Sequence, residues 1–230
     1  MDSTKKFLRH LSLCSGYSGL GLGLKRVLPA LREIAHVEIE AYAVQNLVNK
    51  MEQGLLPPAP VYTDLKTFPF ADFRGCVDIL SGGFPCQPFS QAGARRSTED
   101  PRHLFPYIAD GIDACAARYV FLENVEGIIS SKTADGESVL RYVLRELEGL
   151  CYTASWGVFS ASETGASHQR KRVFILASRD GESLDDLLTG HSEPEPTIWP
   201  ARPNQQQFEW EEPRVLGNTQ HHGPSAIKVG

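Results

Sequence analysis

One cysteine in the sequence lies in a segment whose composition favours an exposed thiol. Cys86 belongs to Gly82-Gly83-Phe84-Pro85-Cys86-Gln87-Pro88-Phe89-Ser90, which directly follows an apolar run at residues 77–80. We interpret this run as a strand, and in doubly wound α/β folds ligands bind outside the carboxyl ends of strands. Two glycines and two prolines favour an exposed loop, which a buried structural cysteine would not need. Because a thiolate is a strong nucleophile near neutral pH, we expect Cys86 to form a covalent bond.

Charged residues stand at the ends of two further strand-like runs. Glu123 follows residues 119–122, and an acid at a strand end inside a cleft can donate a proton. Arg170 and Arg172 precede residues 173–177. Since they are two apart, we expect them to share one face of a strand, where they can meet an anion or a carbonyl. Taken alone, Glu123 also suits a solvated or helix-capping acid, and the arginines also suit a solvated edge.

A glycine-rich turn, Ser15-Gly16-Tyr17-Ser18-Gly19-Leu20-Gly21, follows the strand-like residues 7–13. Glycines let a backbone approach a ligand closely and let a helix N-terminus point at it. The next predicted strand, residues 35–39, carries Glu38 about 20 residues further on, where an acid suits hydrogen bonds to ribose hydroxyls. An ordinary tight turn between a strand and a helix is the alternative interpretation.

Strands and helices alternate along the part of the chain that must position these residues. Strand-like runs at residues 7–13, 35–39, 77–80, 119–122 and 173–177 alternate with helical stretches at 23–31, 41–53 and 139–147. This order predicts an α/β fold, a doubly wound and mostly parallel sheet with helices on both faces and right-handed crossovers. Beyond residue 179 the chain is rich in Pro, Gln, Glu and Gly. We therefore predict a catalytic domain at 1–179 and a linker or tail at 180–230.

Composition narrows the class of protein. Hydrophobic residues make up 41% of the 230 residues, and no apolar run approaches the roughly 20 residues of a membrane span. The polar N-terminus does not resemble a signal peptide, so we expect a cytoplasmic protein. The net charge is −5, whereas free-standing DNA-binding domains are usually basic. If this chain binds DNA, then either its positive charge is concentrated on one face or another polypeptide supplies the contacts to the DNA.

The five cysteines are irregularly spaced and include no C-x-x-C pair. This pattern argues against a disulfide framework and against a structural zinc site, and we expect no metal. Apart from Cys86, each cysteine falls near apolar residues. We therefore expect Cys14, Cys76, Cys115 and Cys151 to be small buried hydrophobic residues.

Three motifs, in this order, resemble the DNA cytosine-C5 methyltransferase family: Pro85-Cys86-Gln87, Glu123-Asn124-Val125 and the paired arginines. The resemblance covers about residues 7–178. It implies a Rossmann-like methyltransferase fold with the cofactor S-adenosyl-L-methionine. It also implies that Cys86 adds to C6 of a cytosine flipped out of DNA, that Glu123 bonds N3 and the exocyclic amine, and that Arg172 with Arg170 holds O2. The methyl group then moves to C5, a base removes the C5 proton, and Cys86 leaves.

The resemblance further implies which residues hold the cofactor. The loop at residues 14–20 would hold its methionine part, Glu38 its ribose hydroxyls, and Ile39 one face of its adenine. Asp64 would accept from the adenine amino group. The implied cofactor-binding set is Cys14, Ser15, Gly16, Ser18, Gly19, Glu38, Ile39, Asp64, Leu65 and Leu104.

The sequence departs from the family pattern at several places. Cys14 stands where the family usually has an aromatic residue, Ser18 where it has glycine, and His168 where it has glutamine. Family members continue after the arginine strand with a target-recognition domain and a closing motif that completes the cofactor pocket. Gly217-Asn218 and Pro224 echo that motif only faintly. We therefore expect residues 199–230 to lead toward a recognition domain that lies elsewhere.

Three functional hypotheses follow from the resemblance. The leading one is a bacterial, archaeal or phage-encoded DNA cytosine-C5 methyltransferase, whose biological role could be restriction–modification, phage self-protection or regulation. In this hypothesis the chain is truncated, or a second polypeptide supplies target recognition and the closing motif. A second hypothesis is a remnant that binds cofactor or a partner without turnover, against which the intact Cys86, Glu123 and Arg172 argue. A third is cytosine-C5 methylation of transfer RNA.

Overall fold

The computed structural model describes residues 7–85, 104–133 and 136–183, together with Leu187. Its elements in chain order are β1 (Leu8–Leu13), α1 (Gly19–Val27), β2 (Leu31–Val37), α2 (Ala41–Glu52), β3 (Val61–Tyr62), β4 (Ile79–Gly83), α3 (Leu104–Cys115), β5 (Tyr119–Val125), α4 (Val139–Gly149), β6 (Tyr152–Phe159) and β7 (Arg172–Arg179). Short 3-10 turns lie at Phe70–Phe73, Glu126–Ile128 and Ala161–Thr164. In this part of the chain no helix is long and apolar enough to cross a membrane.

The strands form one seven-stranded sheet in the order β3-β2-β1-β4-β5-β7-β6. The pairings from β3 to β5 are parallel, and β7 runs antiparallel to both of its neighbours. The predicted α/β fold with a mostly parallel sheet is therefore confirmed. The strand order reverses between β1 and β4, which is the place where doubly wound sheets bind ligands.

The main core lies between one face of the sheet and helices α3 and α4. Helix α4 buries Val139, Leu140, Val143 and Leu147, which recur at helical spacing and so form one apolar stripe. Opposite them, β5 and β7 contribute buried side chains such as Leu122 and Ile175. This packing holds the middle of the sheet rigid, so the polar residues at the strand ends project from a fixed edge.

Several predicted boundaries are wrong. The second strand begins at Leu31 and ends at Val37, so Ile39 lies outside it and is exposed. The first helix begins at Gly19 rather than residue 23. Strand β4 extends through Gly83, so the two glycines predicted to lie in the loop before Cys86 are strand residues.

The antiparallel direction of β7 matters most for function. Because β7 returns along β5, its first residue lies at the carboxyl end of β5, where Arg172 pairs in register with Val125. A parallel strand would have placed Arg172 at the opposite edge of the sheet. The start of β7 and the end of β5 thus meet beside the end of β4, whose Gly83 pairs with Glu123.

Candidate active site

A cavity of about 810 Å³ opens at the carboxyl ends of β1, β2 and β4. Its walls come from the loop after β1, the start of α2, the segment after β3, the end of β4 and the first residue of α3. The lining residues are Cys14, Gly16, Tyr17, Val37, Glu38, Ile39, Glu40, Tyr42, Ala43, Asp64, Leu65, Lys66, Gly83, Pro85 and Leu104. Most of its accessible surface is apolar, with carboxylates at a few points, as is usual for small-molecule sites.

The loop after β1 is held against the end of β2. The Ser15 amide donates to the Val37 carbonyl at 3.1 Å, and the Gly16 amide donates to Glu38 Oε2 at 2.6 Å. The other oxygen of that carboxylate, Oε1, accepts from the Glu40 amide at 2.9 Å. Glu38 is buried, so its carboxylate is fixed by two backbone donors. Each oxygen keeps a lone pair for a ligand.

Seven of the ten residues predicted to bind the cofactor line this cavity: Cys14, Gly16, Glu38, Ile39, Asp64, Leu65 and Leu104. The other three, Ser15, Ser18 and Gly19, do not line it. Ser15 and Ser18 belong to the loop but are buried, and Gly19 is the first residue of α1. The set also missed several lining residues, among them Lys66, Tyr17 and Tyr42. The only sequence signal for these is their closeness to predicted motif residues.

Ser18 occupies a backbone position that favours glycine. Its φ is 63° and its ψ is 30°, in the left-handed region, immediately before α1. Glycine adopts this conformation without steric cost, whereas serine bears some strain there. This geometry gives a physical reason for glycine at the matching family position. The chain keeps the turn although it has serine.

Cys14 lines the cavity but is unsuited to attack a substrate. Burial, together with the nearby charge of Glu38, raises the pKa of its thiol to about 12. It is therefore protonated at neutral pH, and a protonated thiol is a poor nucleophile. The expectation that four cysteines are buried is only partly correct: Cys115 is buried and Cys14 half-buried, but Cys76 and Cys151 are exposed. Both lie in turns between elements rather than within them.

Glu123 and Arg172 form an ion pair behind the end of β4. Arg172 Nε lies 2.7 Å from Glu123 Oε1, and both side chains are about one fifth to one quarter exposed. Arg172 also donates to the Lys171 carbonyl at 2.9 Å. A Cβ atom on Gly83 would lie 3.0 Å from Glu123 Oε2. Since Gly83 also lines the cavity, Glu123 lies next to a residue of the cavity wall.

Asn124, next to Glu123, fixes the segment that leads to Cys86. It is buried, and its Nδ2 donates to the Phe84 carbonyl at 3.0 Å. The Asn124 Oδ1 atom accepts from the Val125 amide, which sets the orientation of the side chain. Sequence reasoning used this residue only as part of a motif and assigned it no role. Cys86 itself lies outside the described residues, and Pro85, directly before it, lines the cavity.

Arg170 does not share a strand face with Arg172, and that prediction is wrong. Strand β7 begins at Arg172, whereas Arg170 precedes it and has a φ of 24°, far from an extended conformation. The spacing of two therefore does not place the two side chains together. Arg170 is exposed. Its side chain makes no hydrogen bond or ion pair with the residues that the structure describes.

A family model described as C-5 cytosine-specific DNA methylase matches residues 8–222. The chain belongs to this family. Its members use S-adenosyl-L-methionine as the methyl donor, so the predicted family and cofactor are confirmed. No cluster of three or more metal-ligating side chains occurs in the described part of the chain.

Several curated relatives of the chain are type II methyltransferases. M.NgoMIV of Neisseria gonorrhoeae is 30% identical over 171 residues, which cover 74% of this chain and 51% of the relative. M.CviJI of Paramecium bursaria Chlorella virus IL3A is 30% identical over 225 residues, covering 96% of this chain and 54% of the relative. The chain thus spans about half the length of these relatives.

Solved structures support the same fold. Spodoptera frugiperda DNMT2, solved as a mutant, superposes with a TM-score of 0.63 at 22% identity, covering 76% of this chain and 51% of that one. The Dnmt2 methyltransferase of S. pombe superposes with a TM-score of 0.59 at 25% identity, covering 82% and 57%. The matched region thus covers only a little over half of each of these solved chains.

Proposed function

We propose that this chain is the catalytic part of a DNA cytosine-C5 methyltransferase that transfers a methyl group through a covalent adduct on Cys86. One observation carries the proposal. The same cavity is lined by the glycine loop, by Glu38 and by the Gly83 and Pro85 residues that lead to Cys86. The Glu123–Arg172 pair stands directly behind Gly83. The residues proposed to hold the substrate thus lie next to the wall of the cavity proposed to hold the cofactor.

The cavity residues fit S-adenosyl-L-methionine. The cavity volume of about 810 Å³ lies within the range of roughly 300–1,000 Å³ common for ligand sites. Glu38, whose two oxygens are already oriented by backbone amides, is placed to accept ribose hydroxyls. Glu38, Glu40 and Asp64 outnumber Lys66 among the charged lining residues, and this balance favours a cationic ligand. When bound, the cofactor supplies an electrophilic methyl group.

Glu123 and Arg172 are suited to hold a cytosine by its polar edge. In this proposal the Glu123 carboxyl bonds N3 and the exocyclic amine, gives a proton to N3 as the ring is attacked, and takes it back when Cys86 leaves. The guanidinium of Arg172 already uses Nε and Nη1. Its remaining nitrogen, Nη2, makes no hydrogen bond within the described part of the chain, so it is free to donate to O2. Arg170 has no comparable contact, and its predicted role at O2 rests on the family resemblance alone.

The covalent step assigns one role to each group. The Cys86 thiolate forms a bond to C6 of cytosine, which breaks the aromaticity of the ring and places an electron pair on C5. That pair would form the bond to the methyl group that S-adenosyl-L-methionine supplies, and the electrons of the donor's carbon–sulfur bond would remain on its sulfur. A base then removes the C5 proton, the C5–C6 double bond forms again, and Cys86 leaves as a thiolate. Cys14 does not compete, because its thiol stays protonated.

We also propose that a further polypeptide, or a longer form of the chain, completes the enzyme. The chain spans about half of each relative named above, and its net charge of −5 is unfavourable for contacts to phosphates. Base flipping costs a few kcal/mol, which must be recovered through contacts to DNA. The 230 residues alone are therefore expected to bind cofactor weakly and to methylate DNA poorly.

The test is transfer of a tritiated methyl group to mixed-sequence DNA, with and without the target-recognition part of a curated relative, supplied as a fusion or in trans. Activity should appear only with the added part and should be confined to one short DNA sequence. A parallel reaction with transfer RNA tests the alternative substrate. Methylation of transfer RNA but not DNA, or no methylation of either under all of these conditions, would overturn the proposal.

A further inference from the structure

Polar side chains lie on the sheet face beneath the cofactor loop, where a hydrophobic core is expected. The register of β1, β2 and β4 places His10, Glu33, His36 and Ser81 on one face. Helix α1 covers this face: a Cβ atom on its Gly21 would lie 3.1 Å from Glu33 Oε1 and 3.4 Å from the His10 ring. All four side chains are buried, and the reaction described above uses none of them.

Several polar atoms of this buried cluster have no partner. His10 Nε2 lies 2.8 Å from Ser81 Oγ. Among the described residues, His10 Nδ1, both Glu33 oxygens and His36 Nε2 have no hydrogen-bond partner, and neither does Ser18 Oγ at the start of α1. His10 Nδ1 and Glu33 Oε1 lie 4.0 Å apart, too far for a hydrogen bond. A buried polar atom without a partner lowers stability. A group of them kept together at one place therefore calls for a role other than stability.

His36 connects this cluster to the cofactor loop. Its Nδ1 lies 3.3 Å from Ser15 Oγ, and that hydroxyl also lies 2.9 Å from the Ser12 carbonyl. A carbonyl can only accept, so the Ser15 hydroxyl donates to it and accepts from His36. This arrangement assigns the proton of the neutral ring to Nδ1. Burial lowers the pKa of His36, which is consistent with a neutral ring at pH 7.

His36 is the first of three consecutive residues that hold the loop; the first two end β2, and the third directly follows it. After it, the Val37 carbonyl accepts from the Ser15 amide, and the Glu38 carboxylate accepts from the Gly16 amide. The side chain of His36 thus holds Ser15 from below, while the two following residues hold the backbone of the turn. Ser15 does not reach the cavity, so it acts on the ligand only through the shape of the loop.

We propose that His36 is a positioning residue for cofactor binding: its Nδ1–H group fixes Ser15 and thereby the turn that presents the Gly16 backbone to the cofactor. The inference rests on the proposed cofactor site. His36→Leu removes the donor, whereas His36→Asn keeps an N–H group close to the position of Nδ1. Ser15→Ala removes the acceptor and provides a second, smaller perturbation if His36→Leu does not fold. His10→Leu is the matched control, because His10 belongs to the same cluster but does not contact the loop.

Two measurements on the 230-residue protein test the inference. The first is hydrogen–deuterium exchange of the loop peptide, residues 14–20, without ligand. The second is the Kd for S-adenosylhomocysteine by calorimetry. In His36→Leu and in Ser15→Ala, loop exchange should accelerate, and Kd should rise about threefold to tenfold, the usual effect of one hydrogen bond. His36→Asn should restore both values. His10→Leu should lower global stability without a selective effect on the loop.

Two results would overturn the role of His36. One is loop exchange in His36→Leu and Ser15→Ala equal to that of the wild type. The other is a His36→Asn protein that behaves like His36→Leu. If the folded wild type binds no S-adenosylhomocysteine at millimolar concentration, the proposed cofactor site is wrong. In that case the exchange data alone still decide whether His36 positions the loop.

Discussion

Replacing Glu38 with alanine tests the cofactor site most sharply among the described residues. The buried Glu38 carboxylate accepts from the Gly16 amide at 2.6 Å and from the Glu40 amide at 2.9 Å. Glu38→Ala removes both acceptors and the oxygen atoms proposed to bind ribose. It should therefore reduce both cofactor affinity and stability, because the same carboxylate holds the loop after β1 and the start of α2.

The magnitude follows from the two contacts. A hydrogen bond to a charged group contributes about 1.5–3 kcal/mol. Water can replace part of this at the cavity wall, so we expect the free energy of unfolding to fall by about 2–4 kcal/mol for the pair. A disordered Gly16 turn and a lost ribose contact together should raise the Kd for S-adenosylhomocysteine about a hundredfold, which corresponds to roughly 2.7 kcal/mol.

Glu40→Gln is the matched control. It removes one negative charge from the same cavity wall, on an exposed side chain that makes no hydrogen bond within the described part of the chain. It therefore separates the effect of lost charge from the effect of the lost hydrogen bonds of Glu38. Its Kd should change by no more than about threefold and its stability by about 0.5 kcal/mol or less. Calorimetry and urea denaturation measure the two quantities. The reasoning is refuted if Glu38→Ala binds like the wild type, or if Glu40→Gln loses as much affinity.

Two further predictions concern stability. Burial, with a smaller effect of His36, lowers the pKa of His10 to about 3. Below about pH 6.5 His10 therefore binds a proton in the unfolded chain but not in the folded chain. This difference alone should lower the free energy of unfolding by about 2 kcal/mol between pH 7.5 and pH 5. Urea titrations should show this loss in the wild type and a smaller one in His10→Gln. In α3, a Cβ atom on Gly111 would lie 2.5–2.7 Å from the Phe70 ring, so Gly111→Ala should destabilise the protein by about 1–3 kcal/mol. In α4, a Cβ atom on Gly149 would have no neighbouring atom within 4 Å, so Gly149→Ala should not destabilise the protein.

Equal stability at pH 7.5 and pH 5 would contradict the buried, neutral state of His10. If Gly111→Ala and Gly149→Ala unfold at the same denaturant concentration, the close packing of Phe70 against α3 is wrong.

The sequence predicts the central strands well because most of their residues are apolar and at least half-buried. Strands β4, β5 and β7 appear as short apolar runs, and this suffices to place them. Edge strand β6 was not predicted, because its residues are mostly exposed and lack an alternating pattern. Helix α3 was not predicted either. Its first turn contains Pro106 and its middle contains Gly111, two residues that usually mark helix ends or turns.

The direction of a strand cannot be read from an apolar run. The contact between Glu123 and Arg172 depends on the antiparallel return of β7, which no local pattern indicates. The wrong prediction that Arg170 and Arg172 share a strand face has a similar origin. A spacing of two residues places side chains on one face only within a strand, and β7 begins at Arg172, two residues after Arg170. By contrast, Glu38 and the glycine turn were predictable, because both flank one parallel strand pair with a fixed geometry.

Covalent trapping on DNA that contains 5-fluorocytosine tests the central claim most directly. Fluorine at C5 cannot leave as a proton does, so an enzyme that attacks C6 through a thiolate stays attached to the DNA. The reaction contains S-adenosylmethionine and the added recognition part. The wild type should form an adduct that survives denaturation, and so should Cys76→Ser, which changes an exposed cysteine. Peptide mapping should place the adduct on Cys86. An adduct that persists in Cys86→Ser, or none in the wild type under conditions where methyl transfer occurs, would contradict the assignment of Cys86 as the nucleophile.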